Sequence, residues 1–522
     1  MGKGARNRQV QREAAAKSKK KQDSVLGLGA KIGLWAVAAA VVLVFLYSVL
    51  TFTGTIQRGL TAAKVGNEKV SAMDFNILYR DVRSNILNEY GPSLQQYYNY
   101  DLTTIDSQPC IFDTSITWRE YFIDQTKEQV KTLYTLYQDG RSNGFELSDE
   151  DNTEYQDYMA QIESNADYNG MSLAQYVKAA YSSATKLSDV EKVNKIRFYG
   201  NAYYNHLKDQ YNFGDTDVET YYQEHQDDFD VVDYYYYTFP YTTYTYTEPE
   251  EGAEIEEGQP KSEEEATSMT EASKSEAKAL ADEMRSKVTG ADNFETVAEA
   301  YHIQLGNENY SSHFNQGVRV NEQSGSTSDW YREEGRQVGD IDVVDTGFGY
   351  SVLLFAGRYR EELPTVRVRH ILLRTEAYAE DATDEDKAAV DEANAAVLTQ
   401  IEDIRSQWES GEATEDSFAE LAKEHSADGS ASEGGDLGFF TENVMVQAFN
   451  DWCFESGRKP GDVGLVETTY GYHLIYFVEH GNYEYYNTIV DTLTNNAMDE
   501  YMENTMPNYP ADFNDYPVSL AS

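Results

Sequence analysis

Hydrophobic positions along this chain change period several times, and each change marks an element. From Val366 to Arg374 apolar and polar residues alternate before closing on Ile371-Leu372-Leu373, the period of a strand. The period then lengthens. Val390, Val397, Ile401, Ile404 and Trp408 form one helical face, with caps at Thr383 and Asp386 and a stop at Gly411. A second helix near Phe418–His425, a glycine-rich turn and a strand Tyr472–Val478 complete a compact α+β unit. Upstream, residues 57–231 read as mostly helix: Trp118, Tyr121, Phe122, Val130, Leu133 and Leu136 keep helical spacing. This stretch opens on Val65-Gly66-Asn67-Glu68-Lys69-Val70, a short strand or turn, and a helix start capped by Ser71 with Asp74. Asp215-Thr216-Asp217 opens another helix, and Glu484–Glu503 reads as the last, before an irregular tail.

One stretch has no charged interruption. Residues 32–56 carry no charge and are strongly apolar, long enough as a helix to span a hydrocarbon core of about 30 Å. The apolar run exceeds the usual span of a cleaved signal peptide, and no Ala-x-Ala site follows it. The reading is an uncleaved single-pass anchor. Residues 1–31 hold nine Lys/Arg against two acids, which places this basic segment in the cytoplasm and the bulk of the chain outside.

The pattern also repeats. Residues 328–355 match 450–477 without gaps at an offset of 122, with Trp330/Trp452, Gly339/Gly461, Asp340/Asp462, Gly349/Gly471 and Tyr350/Tyr472 among the identities. Phe294 and its neighbours echo Phe418 and its neighbours, and Val231–Phe239 echoes Val366–Leu373. Two copies of one domain therefore stand in tandem. They differ where chemistry would be: the second has His370 and His473, the first a tyrosine run, Tyr234–Tyr237, and Ser351. The first copy lacks the Gly-Gly-Asp-Leu-Gly run and carries an insertion, Glu248–Lys274, whose composition reads as a disordered loop.

Charge narrows the partners. The 522 residues carry a net −48, and with the basic start removed the remainder reaches −55, which repels nucleic acid and anionic lipid surfaces. Cys110 and Cys453 define no disulfide framework and read as unpaired apolar side chains. No metal-ligand spacing, phosphate loop or nucleophile elbow is present, so neither metal nor cofactor is expected.

The second copy strings together Arg369-His370-Ile371-Leu372-Leu373, then Phe418 through Ser426-Ala427-Asp428, then Gly434-Gly435-Asp436-Leu437-Gly438-Phe439-Phe440. Met445, Phe449 and Tyr470-Gly471-Tyr472-His473-Leu474-Ile475 follow. This order resembles the parvulin family of peptidyl-prolyl cis/trans isomerases over roughly Val366 to Glu479. The resemblance implies a proline slot from Leu437, Phe440, Met445 and Phe449, and a polar network of His370, Asp428 and His473 behind the amide. Thr468 is a candidate to join that network. Standing alone, each would have a plainer reading: the apolar four as core, Asp428 as a turn former, the glycines as turn geometry.

The helical stretch is similar to the chaperone domain of the SurA, PrsA and PpiD group, in which a C-terminal segment returns to complete that domain. The expected layout is a basic segment (1–31), an anchor (32–56), a helical chaperone domain (57–231), a degenerate parvulin-like domain (232–363), an isomerase domain (364–480) and a C-terminal helix and tail (481–522). The implied function is an extracytoplasmic foldase acting on unfolded or nascent exported polypeptides. Its rivals are a non-catalytic holdase and a membrane scaffold, neither of which needs the two histidines.

Overall fold

The computed structural model describes residues 8–17, 42–45, 48–248, 257–307, 309–379 and 383–521. It divides into two compact units, Met1–Asn212 with Thr494–Ser522, and Phe213–Leu493. Residues 32–41, 46 and 47 of the anchor expected over 32–56 lie outside the described residues. Among those described, no helix is long and apolar enough to cross a membrane.

In the first unit a hairpin of β1 (Thr61–Val65) and β2 (Glu68–Ser71) leads into helix α1 (Ala72–Tyr98). The entry is fixed reciprocally: Asp74 N–H donates to Ser71 Oγ at 3.1 Å and Ser71 N–H to the Asp74 carboxylate at 3.0 Å. Helices α2 (Trp118–Ser142) and α3 (Leu187–Asp209) pack with α1 around Phe75, Tyr79, Trp118, Phe122 and Val193. The C-terminal strand β11 (Ala511–Phe513) pairs antiparallel with β1, Phe513 opposite Ala63, so the chain's end forms the third strand of this sheet. Asp139 fastens the same segment, accepting from Tyr509 Oη at 3.1 Å and Tyr203 Oη at 2.9 Å.

The second unit contains both repeat copies. The first runs β3 (Asp230–Pro240), α4 (Glu263–Lys287), α5 (Ala291–Gln304), β4 (Phe314–Arg319), α6 (Ser326–Arg332), β5 (Ile341–Asp345) and β6 (Gly349–Arg360). The second runs β7 (Pro364–Arg374), α7 (Asp384–Ser410), α8 (Glu415–His425), β8 (Asp436–Thr441), α9 (Gln447–Cys453), β9 (Val463–Thr468) and β10 (Gly471–Tyr483), before helix α10 (Glu484–Thr505). The two antiparallel sheets have matching orders, β4-β3-β6-β5 and β8-β7-β10-β9.

The repeated sequence has a structural cause. Gly339 and Gly461 adopt φ of 97° and 88°, a region that favours glycine, and both donate to an equivalent strand carbonyl, Phe355 O at 2.8 Å and Phe477 O at 2.9 Å. Arg336 lies 4.1 Å over the Trp330 ring and Arg458 3.9 Å over Trp452.

Each sheet uses its faces in the same way. In the second copy Ile371, Leu373 and Leu474 meet Ile401, Ile404 and Trp408, while Val366, Val368, Ile475 and Phe477 meet Phe449 and Cys453 on the other face. Both cysteines are free and buried.

The structure corrects one reading. Residues 263–274, assigned above to a disordered insertion, belong to α4. Ser262 Oγ accepts from Glu265 N–H, and Glu263, Glu264 and Glu265 lie in the positive first turn of the helix. The acidic run that reads as solvated chain is a helix start.

Candidate functional site

The site lies on the β7/β10 face that carries Phe449. Alternation along β7 sends Ile371 and Leu373 to the helices and His370, with Val366 and Val368, to the opposite face. On β10 His473 sits two residues before Ile475, which pairs with His370 across the ladder. Each imidazole is at most 5 % exposed. His370 Nδ1 and His473 Nδ1 are 3.1 Å apart, and the rings lie within 12° of parallel. The Phe449 ring stands edge-on to both, 5.5 Å from His370 and 5.3 Å from His473.

Polar groups close both ends of the pair. His473 Nε2 is 2.8 Å from Thr468 Oγ1, and His370 Nε2 is 3.1 Å from Asp428 Oδ1. The second contact is at hydrogen-bonding distance but falls outside hydrogen-bond geometry. One arrangement of protons satisfies the chain with both rings neutral. Thr468 donates to His473 Nε2, His473 Nδ1–H donates to His370 Nδ1, and His370 Nε2–H faces the carboxylate.

Burial supports that neutrality. It pushes the His473 imidazole down to about 4, helped by neighbouring His370 and opposed by Asp428. It also lowers His370, against the opposing influence of the nearby Asp428 carboxylate. Asp428 itself is held well below the usual carboxylate range. Desolvation alone would raise it, but hydrogen bonds from the Ser430 side chain and backbone, together with the charge influence of nearby His370, outweigh that.

The glycine-rich turn acts on the site through the backbone. His370 N–H donates to Gly435 O at 2.8 Å. Gly435 has φ of 74°, and a Cβ there would lie 2.2 Å from His370 O. No side chain fits this approach. The four residues assigned to the proline slot occur in one apolar cluster: Phe440 and Phe449 are buried in it, and Leu437 and Met445 pack against it half-buried. The structure thus gathers His370, Asp428 and His473 into one chain, with Thr468 at its end. Ser430 escaped the sequence reading. Its only sequence signal is Asp-x-Ser, a common turn pattern.

In the first copy the same strand positions hold different chemistry. The register places Tyr236 opposite Leu353, as His370 is opposite Ile475, and Ser351 opposite Thr238, as His473 is opposite Leu372. Thr238 and Ser351 share a hydroxyl hydrogen bond of 2.7 Å. Tyr236 N–H donates to His313 O at 2.9 Å, so a histidine occupies the bonding position of Gly435.

Residues 353–480 match the PPIC-type PPIASE domain family. The chain is 34% identical over 144 residues to chaperone SurA of Pseudoalteromonas atlantica, covering 27% of this chain and 29% of that protein. It is 35% identical over 119 residues to foldase protein PrsA of a Geobacillus species, covering 22% and 33%. The chain spans about a third of the length of these curated relatives. Among solved structures, PrsA from Bacillus subtilis is 28% identical, covering 27% of this chain and 49% of that one, with a TM-score of 0.19. The chain carries a parvulin-type peptidyl-prolyl isomerase domain of the SurA/PrsA group.

Proposed function

We propose that the parvulin-type domain catalyses cis/trans isomerisation of Xaa-Pro bonds in unfolded polypeptides, with the helical unit holding the same clients. The observation that carries the catalytic reading is the buried histidine pair, 3.1 Å apart, set against Phe449 at the edge of an apolar cluster. Rotation about the amide breaks no bond and faces a barrier of about 18–20 kcal/mol from resonance. A catalyst needs an apolar seat for the proline ring, removal of water from the amide, and polar groups suited to the twisted state. Leu437, Phe440, Met445 and Phe449 supply the seat. His370, His473 and Asp428 supply a hydrogen-bonding wall whose imidazoles carry no net charge. Each tenfold gain in rate requires only about 1.4 kcal/mol, which a few such contacts provide.

The site of action follows from the sequence. The uncharged residues 32–56 and their basic flank support a single-pass cell-membrane protein with a cytoplasmic N-terminus and clients met on the far side. Protease added to intact protoplasts is expected to digest the large domains; complete protection of residues 232–522 would refute this topology. Catalysis is tested with the full chain and a short Xaa-Pro peptide, following cis/trans exchange by NMR. Accelerated exchange is expected, and an unchanged rate from folded protein would favour a holdase.

A further inference from the structure

We propose that Ser430 is a positioning residue of the isomerase site, holding the Asp428 carboxylate so that it orients His370 without pairing with it fully. Asp428 Oδ1 receives Ser430 N–H at 2.9 Å and Ser430 Oγ–H at 2.6 Å, and the same oxygen lies 3.1 Å from His370 Nε2. Three donors thus converge on one oxygen. The two from Ser430 meet hydrogen-bond geometry, whereas the one from His370 does not. The carboxylate is therefore tethered to the start of its own turn, Gly429–Glu433, and only grazes the imidazole.

The consequence is a set point. Were the hydroxyl removed, Oδ1 would lose one of two firm donors and turn toward His370 Nε2–H. A stronger carboxylate–imidazole contact favours the protonated ring, and the neutral relay would fail at a higher pH than in the native site. Among the described residues, the titratable groups that act on Asp428 and the histidines are one another, and Arg374, His425 and Cys453 stand on neighbouring elements. His370 comes from β7 and His473 from β10. The Arg374 guanidinium donates to Ala427 O at 3.3 Å, and His425 on α8 lies 3.7 Å from Glu424. The Cys453 thiol on α9, pushed up to about 12 by burial, stays neutral. None of these gives Oδ1 a second hydroxyl. A plain turn role for Asp428 and Ser430 would need only the backbone N–H and predicts no effect of the side chain on the histidines.

This inference rests on the isomerase reading, so its test uses two readouts. In the full chain, Ser430→Ala is compared with Ser430→Thr, which keeps a hydroxyl, by the pH profile of peptide isomerisation and by 15N signals of the labelled histidines. Ser430→Ala is expected to move the acid limb and the His370 titration up by about half to one pH unit, the scale of one hydrogen bond to a carboxylate. Ser430→Thr is expected to restore both. Unmoved titrations in Ser430→Ala, or equal shifts in both variants, would overturn the role. An inactive wild-type chain would instead remove the isomerase reading, while the histidine titrations would still decide whether Ser430 governs the pair.

Discussion

The two copies in the second unit share a sheet order, a pair of glycine-centred turns and an arginine laid over a tryptophan, yet only one face of one copy carries the histidine relay. Where the second copy places His370 and His473, the first has Tyr236 and Ser351, the serine bonded to Thr238. Where the second has Gly435 pressed against His370, the first has His313. The comparison separates two demands on one sequence. The turns, the tryptophan seat and the alternating strands serve the scaffold and persist in both copies; the imidazoles, and the glycine that lets the loop approach them, serve the site and are found in one.

The largest expected effect comes from making the second copy resemble the first. Substituting His370→Tyr and His473→Ser together is expected to cost at least a hundredfold in isomerisation, about 2.7 kcal/mol of barrier, as peptide exchange rates would report. Gly435→Ala attacks the backbone part of the same difference. Its Cβ would sit 2.2 Å from His370 O at a φ of 74°, so a loss of about 2–4 kcal/mol in the domain's stability is expected by denaturant titration. A melt unchanged by this substitution would show that the loop shifts freely.

A subtler effect concerns pH. An unfolded imidazole takes a proton near 6.5, while His473 in the fold resists until about 4. Between these values the unfolded chain binds more protons, so stability is full above 6.5 and falls as pH drops through that window. The lowered Asp428 acts in a different range, contributing above its ordinary 3.8 and losing that contribution below it. Denaturation midpoints at pH 7 and pH 5 are expected to differ less in His473→Gln than in the native chain. The smallest change is Met445→Ala, expected to raise KM several-fold with kcat nearly kept, because Met445 is half-buried at the edge of the apolar cluster and touches no part of the relay that the structure records.

Much of the scaffold is legible in the amino-acid sequence. Strand alternation around His370, the helical face from Val397 to Trp408 and the offset of 122 follow from local periodicity and turn chemistry, which side-chain identity expresses directly. The helix at 263–274 is not, because glutamates that stabilise a first turn have the composition of solvated chain. The tyrosine run shows that His370 has no equivalent in the first copy without showing which tyrosine stands in its place. That depends on ladder register, a long-range property, and the pairing of Tyr236 with Leu353 supplies it. Ser430 is hidden for a related reason: a hydroxyl's partner is set in three dimensions, and Asp-x-Ser occurs in many turns.

The central claim is that the histidine pair, and not the shared scaffold, makes the second copy an isomerase. It is tested most directly by cis/trans exchange of one Xaa-Pro peptide in the presence of the full native chain and of the His370→Tyr, His473→Ser chain, with folding of each confirmed by its melt. Fast exchange is expected with the native protein, and exchange near the uncatalysed rate with the folded variant. Equal acceleration by both, or none by either, would contradict it.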